Sequence, residues 1–186
     1  MGLDQYAYRV NKHENNTDFS YEDLDEYGEE ATVTLVTWRK HPNLEGWMEK
    51  LFNDKANAQG FEGNTAFSSD INIEVIGQLD NLSDELRSMT ASSLYEMKDK
   101  IENAKALANV LNMTKRRVFN CQPIRLTIGD LDQLEMYIKN NNLPDTEGFF
   151  FGDDSDDYYK ATDLEFINNA RQAIRDGYDV YYSSWW

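Results

Sequence analysis

A strand pattern passes directly into a helix pattern at residues 31–52, which read ATVTLVTWRKHPNLEGWMEKLF. The first ten residues are rich in β-branched side chains, and Pro42 ends the strand because proline has no N–H for a sheet ladder. Beyond it, apolar residues recur at the i, i+3, i+4, i+7 and i+8 positions of one helical face, from Leu44 to Phe52. We therefore predict a strand over 31–40, then a helix of about three turns that Asn43 caps and whose apolar face is buried.

Five other segments have the sequence features of strands. Leu3–Val10 alternates apolar and polar positions with a period of two, which is typical of a half-buried strand. Val118–Leu126 contains Pro123, so we expect an edge strand or a bulge there. The other three segments are residues 71–76, residues 148–152 between two glycines, and residues 178–185.

Three further segments have helical patterns. Apolar residues recur at helical spacing over residues 83–113 without Gly or Pro, which predicts one long helix, or two with a break near residues 90–93. Thr127–Asp130 resembles a capping box at the start of a helix. Thr162–Glu165 is a second capping box, and it predicts a helix that starts there and ends at Gly177.

These elements predict an α+β fold with a mixed or antiparallel sheet of about four to five strands, covered by helices and including one long helical segment. We found no internal repeat in the sequence. The 186 residues suit a single α+β domain over 1–186, and residues 53–115 are a candidate inserted loop and long-helix arm.

The composition predicts a folded chain, because 40% hydrophobic and 13% aromatic residues can bury enough apolar surface to offset chain ordering. No apolar stretch approaches the roughly 18 residues that cross a bilayer. The N-terminal residues have no signal-peptide pattern, so we expect a cytoplasmic location. The single cysteine, Cys121, cannot form an internal disulfide.

The net charge of −16 is concentrated in two segments. Residues 21–30 hold six acids and no base, which gives −6, and residues 145–165 hold eight acids and Lys160, which gives −7. Such a balance disfavours binding to nucleic-acid phosphates or anionic membranes, since both require Lys and Arg. Mimicry of DNA is a further alternative, but the long helical segment mixes acids and bases, and each acidic run is also explained as a solvated loop.

Several short motifs together resemble a family of small uncharacterised proteins from tailed bacteriophages. They are the opening Met1–Asp4, Trp38–Lys40 before a helix with Trp47, Gly148–Gly152, Tyr158–Tyr159 before Asp163–Leu164, and Tyr182–Trp185. The resemblance implies a phage origin and a location inside an infected bacterium. The family has no established activity, so it assigns no catalytic residue.

The most suggestive site in the sequence is an anion-binding site at Arg39, Lys40, His41 and Asn43. Backbone amides at a helix start carry partial positive charge, and two cations beside them could bind phosphate or carboxylate, with Trp38 stacking on a base. In the alternative interpretation, Trp38 enters the core while the cations face solvent. Consecutive strand residues also point to opposite faces, which argues against convergence of residues 39 and 40.

Metal and catalytic motifs are weaker. The acidic run Gly152–Asp157 lacks the glycine and the Glu that an EF-hand requires, so we predict a solvated turn, no metal and no cofactor. His13, His41 and Cys121 have no spacing typical of a nucleophile with its base. The chain therefore favours a protein without enzymatic activity.

Two functions remain as expectations. In the first, the chain binds another protein through its acidic runs and exposed aromatics, with Asp153, Asp154, Asp156, Asp157 and Trp186 as contacts. In the second, it binds an anion or nucleotide, with or without catalysis, at Trp38–His41. A pocket lined by that segment would favour the second, and a flat acidic and aromatic face the first.

Overall fold

The computed structural model describes residues 2–23, 31–67, 69–88, 94–113, 115–148, 151–153 and 155–186. The chain divides into two compact units, of which the first combines Met1–Phe61 with Phe119–Trp186. The second unit, Glu62–Val118, overlaps the range 53–115 that the sequence marks as a candidate insertion.

Strands and helices occupy most of the described residues. The strands are β1 (Asp4–Asn11), β2 (Val33–Arg39), β3 (Thr65–Phe67), β4 (Lys115–Arg117), β5 (Ile124–Leu126) and β6 (Tyr178–Trp185). The helices are α1 (Pro42–Gln59), α2 (Ser69–Ser88), α3 (Leu94–Met113), α4 (Ile128–Lys139) and α5 (Asp156–Arg175).

The first unit is built on a four-stranded antiparallel sheet with the order β2-β1-β6-β5. β1 and β6 form its centre and pair over their whole length, from Asp4 opposite Trp185 to Asn11 opposite Tyr178. β5 follows Pro123 directly and lies at one edge, as the proline predicted. The α+β fold class is confirmed, and its sheet is antiparallel.

Helices cover one face of this sheet and form the main core. The stripe predicted on α1 is largely buried, with Leu44, Trp47 and Met48 inside and Leu51 half-buried at the margin. α1 is longer than predicted, because its 18 residues continue through the polar segment after Phe52 to Gln59. It ends at Gly60, whose φ of 66° is the left-handed conformation that glycine adopts readily.

A smaller core covers part of the opposite face. Tyr8, Val10 and Tyr181 are buried there beneath Tyr21. The hydroxyl of Tyr181 donates to the carbonyl oxygen of Thr17 at 2.6 Å, which fixes the loop after β1 on this face. Both faces of β1 and β6 are thus covered at one end, which explains why β1 does not show a simple inside and outside alternation.

The second unit contains α2, α3 and the two-stranded sheet of β3 and β4. The strand predicted over residues 71–76 is wrong, because these residues belong to α2. Their β-branched side chains suggested a strand, but α2 packs along α3, and such packing overrides local propensity. The two-helix alternative is correct, and the predicted break at 90–93 lies outside the described residues.

The helix boundaries correct two further predictions. Asn43 does not cap α1, since the N-cap residue is His41 and Pro42 occupies the first turn. α5 begins at Asp156, so Thr162 lies inside the helix. Carboxylates in a first helical turn are favourable next to the helix dipole, and Asp156 and Asp157 provide them here.

The predicted capping box of α4 and the end of α5 are confirmed. The Thr127 hydroxyl accepts from the Asp130 N–H, and the Asp130 carboxylate accepts from the Thr127 N–H. Gly177, with φ of 93°, follows the C-cap residue Asp176. Residues 148–152 are not a strand where they are described, because the Phe151 N–H donates to Gly148 in a turn. Phe149 and Phe150 lie outside the described residues.

Candidate functional site

A buried cluster of polar side chains joins the end of β2 to α5. One carboxylate oxygen of Asp163 accepts the indole N–H of Trp38 at 2.8 Å, and the other lies 3.0 Å from Nε2 of His41. His41 and Asp163 are 0% and 1% exposed. The Nε2–H tautomer of His41 satisfies both groups, because a carboxylate oxygen can only accept.

The remaining sides of His41 are also enclosed. Its Nδ1 lies 3.7 Å from Oδ1 of Asp156, beyond hydrogen-bond range, and the Tyr159 ring stacks on the imidazole at 4.9 Å. The Gln5 amide bonds both the backbone N–H and the carbonyl oxygen of His41, at 3.0 and 3.1 Å. His41 therefore holds elements together and presents no ring atom to solvent.

The other residues of the predicted anion site point elsewhere. The Arg39 side chain is 71% exposed, and its Nε lies 3.8 Å from Asp4. Lys40 has a φ of 56°, which breaks the strand alternation, and its aliphatic chain passes against Gly152. Asn43 accepts the Thr146 N–H with its Oδ1 and donates to Asp156 with its Nδ2. The structure thus brings His41 and Asn43 to the same carboxylate, Asp156, while the Arg39 side chain reaches toward Asp4.

An open cleft of about 640 Å³ lies at the start of α1. All the charged residues that line it are acidic. The lining residues are Asn43, Asp145, Thr146, Glu147, Gly148, Gly152 and Asp153. We call it the acidic cleft. The cleft wall depends on a close approach between Thr146 and Gly46 of α1, where a side chain on residue 46 would collide with Thr146.

The predicted acidic contacts divide between surface and interior. Asp153 is exposed and lines the acidic cleft, and Asp157 is exposed on the first turn of α5. Asp156 is half-buried beside His41, so the prediction that the whole run faces solvent is wrong at this position. Asp154 lies outside the described residues. Of residues 22–30, Glu22 and Asp23 are exposed and 24–30 lie outside the described residues.

A second buried network surrounds Glu45 on α1. Its carboxylate accepts from the Tyr182 hydroxyl at 2.6 Å, the Ser184 hydroxyl at 2.7 Å and the Trp186 indole at 3.2 Å. Burial raises the pKa of Glu45 despite these three donors. Burial beside Glu45 likewise raises the pKa of Tyr182 well above its ordinary value. The network fastens the end of β6 to α1.

This network changes the role predicted for Trp186. Its ring packs against Phe151 at 5.5 Å, and its backbone N–H donates to Asn120 at 3.0 Å. The adjacent Trp185 is 53% exposed instead. Trp185 shares its sheet face with Ser183, whereas Trp186, the residue after β6, donates to the buried Glu45.

Trp185 belongs to a partly exposed area of the sheet surface. Tyr6 is opposite Thr37 on β2 and Ser183 on β6, and Trp185 follows Ser183 by two residues. Side chains at these positions share one face. We call this surface, formed by Tyr6, Thr37, Ser183 and Trp185, the aromatic face. Tyr6 is 39% exposed on it.

Two further groups of residues contribute no site. Cys121 is exposed in a turn, and His13 lies 3.3 Å from Glu22 at the surface. In the described part of the chain, no three His, Cys, Asp or Glu side chains converge to hold a metal ion. Among the helices searched over those residues, none is long and apolar enough to cross a membrane.

Sequence reasoning missed the two buried networks. Gln5, Glu45 and Asp163 each lie at a position that the apolar pattern of its own element leaves polar, so no local pattern marks them as buried. One local signal was present in the sequence: the start of α1 has no Ser, Thr or Asp at its N-cap. The free backbone groups of such a helix start require contacts from elsewhere in the fold.

Comparison with known proteins gave no relative: no family model, no curated protein and no solved structure matches this chain.

Proposed function

We propose that this chain is a non-enzymatic protein-binding module that contacts its partner through the aromatic face. The observation that carries the proposal is the exposure of Tyr6 and Trp185 on neighbouring strands of one sheet face. Tyrosine and tryptophan are enriched among residues that dominate protein interfaces, because they bury a large area with few rotatable bonds. A pair held on a rigid sheet loses little entropy when a partner binds.

The acidic cleft lies near the same end of the sheet as Trp185, and it indicates the chemistry of the partner. Phe151 packs on Trp186, next to Trp185, and Gly152 approaches Lys40, next to Arg39. The loop that lines the cleft therefore lies at the end of the sheet that carries Trp185. We infer a partner segment with an apolar anchor for the aromatic face and a Lys or Arg for Asp145, Glu147 and Asp153.

The resemblance to phage proteins suggests where such a partner would be found. On this proposal, the chain is a phage-type protein that acts in the cytoplasm of an infected bacterium and binds a bacterial protein there. The net charge of −16 favours a basic partner surface and a fast association at low salt.

The anion-binding alternative stays a prediction with no supporting observation. A phosphate at the start of α1 would meet Asp156 and Asp163 around His41, and the adjoining cleft carries carboxylates instead of cations. Like charges at such distances oppose anion binding. An acid or base role for His41 also has no support, because its side chain is fully buried.

The proposal is tested by affinity capture from a bacterial lysate with matched baits. The wild-type chain is compared with the variant Tyr6→Ser with Trp185→Ser and with the control Met136→Ser. Met136 on α4 is also 53% exposed, so the control removes an equally exposed apolar side chain from another element. Thermal unfolding of each bait checks that the fold is retained.

We expect proteins that the wild type and Met136→Ser retain and that the double variant loses. A third bait, Asp145→Asn with Asp153→Asn, should retain the same proteins less well, and its deficit should shrink at high salt because screening weakens charge pairs. If the double variant captures the same proteins as the wild type, the aromatic face is not the contact and the proposal fails.

A further inference from the structure

β2 is an edge strand whose outward backbone groups follow from its ladder with β1. The Lys40 N–H donates to the carbonyl oxygen of Leu3 at 2.8 Å. Because backbone groups alternate in direction along a strand, the N–H and C=O of Trp38 face β1, and those of Arg39 and Thr37 face away from it. The Tyr159 hydroxyl bonds both outward groups of Arg39. The outward N–H and C=O of Thr37 have no partner among the described residues.

The register of β2 against β1 shifts after Ala7, from Val36 to Thr34, which marks a bulge, and the outward direction can be followed beyond it. Tyr8 pairs with Tyr181 of β6 in the same alternation as Tyr6, so the backbone groups of Thr34, which is opposite Tyr8, also face outward. The side chain of Val33 is 47% exposed. At the other edge of the sheet, the outward Arg125 N–H of β5 donates to Asp18 at 2.8 Å. Among the described residues, one edge is therefore covered, and the other has no partner at the outward groups of Thr34 and Thr37.

The charges beside this open edge have opposite signs at its two ends. Residues 31–38 carry no charge, whereas proteins usually protect an exposed edge with charged residues or proline. At the start of β2, the carboxylate of Asp23 accepts from the Thr32 hydroxyl, and its carbonyl oxygen accepts the Ala31 N–H. At the far end, the Arg39 side chain is 71% exposed, with its Nε 3.8 Å from Asp4. The edge is acidic, neutral and basic in that order.

An acidic, neutral and basic sequence is complementary to itself when two copies pair antiparallel. We propose that β2 pairs with β2 of a second copy around a twofold axis, which joins the two sheets into one of eight strands. In this register Thr34 is opposite Thr37 of the other copy, and each forms backbone hydrogen bonds through its outward groups. Arg39 is then opposite Thr32 of the other copy and lies beside Asp23, and symmetry repeats every contact.

This inference goes beyond the proposed function, because the partner is the chain itself. Two chains of charge −16 repel each other, but charges separated by more than about 8 Å are largely screened at physiological ionic strength. The electrostatic contribution to pairing therefore depends mainly on the unlike charges inside the interface. Tyr159 limits the pairing to the part of the edge before Arg39. Because Thr37 is opposite Tyr6, pairing would also bring the two aromatic faces into one continuous surface.

Sedimentation equilibrium of the full chain tests the pairing. We expect the average mass to rise from monomer toward dimer over roughly 10 to 500 µM, as is usual for a small interface. Thr37→Pro removes an N–H that faces solvent in the monomer, a position where edge strands tolerate proline, and should weaken the dimer at least tenfold. Amide exchange of Thr34 and Thr37 should slow as the protein concentration rises.

Charge variants provide a matched control. Arg39→Asp should weaken the dimer, and Asp23→Arg in the same chain should restore it, whereas Arg175→Asp changes the net charge equally on α5 and should have no such effect. If Thr37→Pro fails to fold, amide exchange and the charge pair decide the question.

A monomeric wild type at 500 µM would overturn the inference. So would a dimer that Thr37→Pro and Arg39→Asp leave unchanged, or exchange at Thr37 that slows only when another captured protein is added. The last result would assign the edge to a strand of that protein. The proposed function is tested separately: it fails if the variant Tyr6→Ser with Trp185→Ser captures the same proteins as the wild type.

Discussion

Gly46 of α1 and Thr146 of the loop after α4 approach so closely that only a hydrogen atom fits on residue 46. A Cβ on Gly46 would lie 1.9 Å from the Thr146 hydroxyl oxygen and 3.0 Å from its Cβ. The contact places the loop that carries Asp145 and Glu147 against the start of α1. The shape of the acidic cleft therefore depends on an uncharged pair of residues that does not bind anything itself.

Gly46→Ala should lower the free energy of unfolding by about 1 to 3 kcal/mol, because the added methyl group forces the loop away. Gly77→Ala on α2 is the matched control, since a Cβ there meets no atom within 4 Å, and it should not destabilise the chain. Thr146→Gly should partly rescue Gly46→Ala. Chemical denaturation of the four variants measures this, and equal stability of Gly46→Ala and wild type would contradict the contact.

Asp163→Asn should lower the free energy of unfolding by roughly 3 kcal/mol. An amide retains one acceptor oxygen, so one of the two buried donors, the Trp38 indole or Nε2 of His41, loses its partner. Glu165→Gln, on the exposed side of the same helix, controls for the loss of one charge and should stay within about 0.5 kcal/mol of the wild type. Equal effects of the two substitutions would mean that the buried cluster does not stabilise the fold.

The two C-terminal tryptophans should respond oppositely to substitution. Trp186→Ala removes the contact with Phe151 and one donor to Glu45, so we expect a loss of about 2 to 4 kcal/mol. Trp185→Ala removes an exposed ring and should change stability by less than about 0.5 kcal/mol while it weakens capture of a partner. A stable Trp186→Ala variant would restore Trp186 as a surface contact.

Periodicity predicted most of the first unit because each of its elements buries a face of its own. The stripe of α1, the capping box at Thr127 and the strand at Tyr178–Trp185 are local patterns, and the structure confirms them. The site depends instead on long-range polar contacts. Trp38 and Asp163 are 125 residues apart in the chain, and no local pattern could pair them.

The aromatic face illustrates the same limit. The sequence marks Tyr6 and Trp185 as strand residues, but their exposure depends on how far the loop after β1 covers the sheet. Tyr21 of this loop packs against Tyr8 and Tyr181, whereas Tyr6 stays 39% exposed. The side chain of Trp185 faces outward because of the register of β6 against β1. A shift of one residue would exchange the inner and outer faces of β6, and the sequence does not specify this register.

Glu45→Gln should reduce the pH dependence of stability. Burial raises the pKa of Glu45 in the folded chain above its ordinary value of 4.5, so between these two values the folded state binds more protons than the unfolded state. Stability from this group is therefore complete below pH 4.5 and is lost as the pH rises toward the raised pKa. Glutamine does not titrate, and subtracting the curve of Glu45→Gln from that of the wild type cancels the other groups.

The difference in the free energy of unfolding, wild type minus Glu45→Gln, should therefore fall as the pH rises from 4.5 and level off above the raised pKa. The amide should also cost some stability at every pH, because its single oxygen cannot accept both from Tyr182 on one side and from Ser184 and Trp186 on the other. Urea denaturation at closely spaced pH values measures both effects. Parallel curves from pH 4.5 to neutrality would show that burial does not raise the pKa of Glu45, and a difference that rises with pH below 4.5 would show that its three donors outweigh its burial.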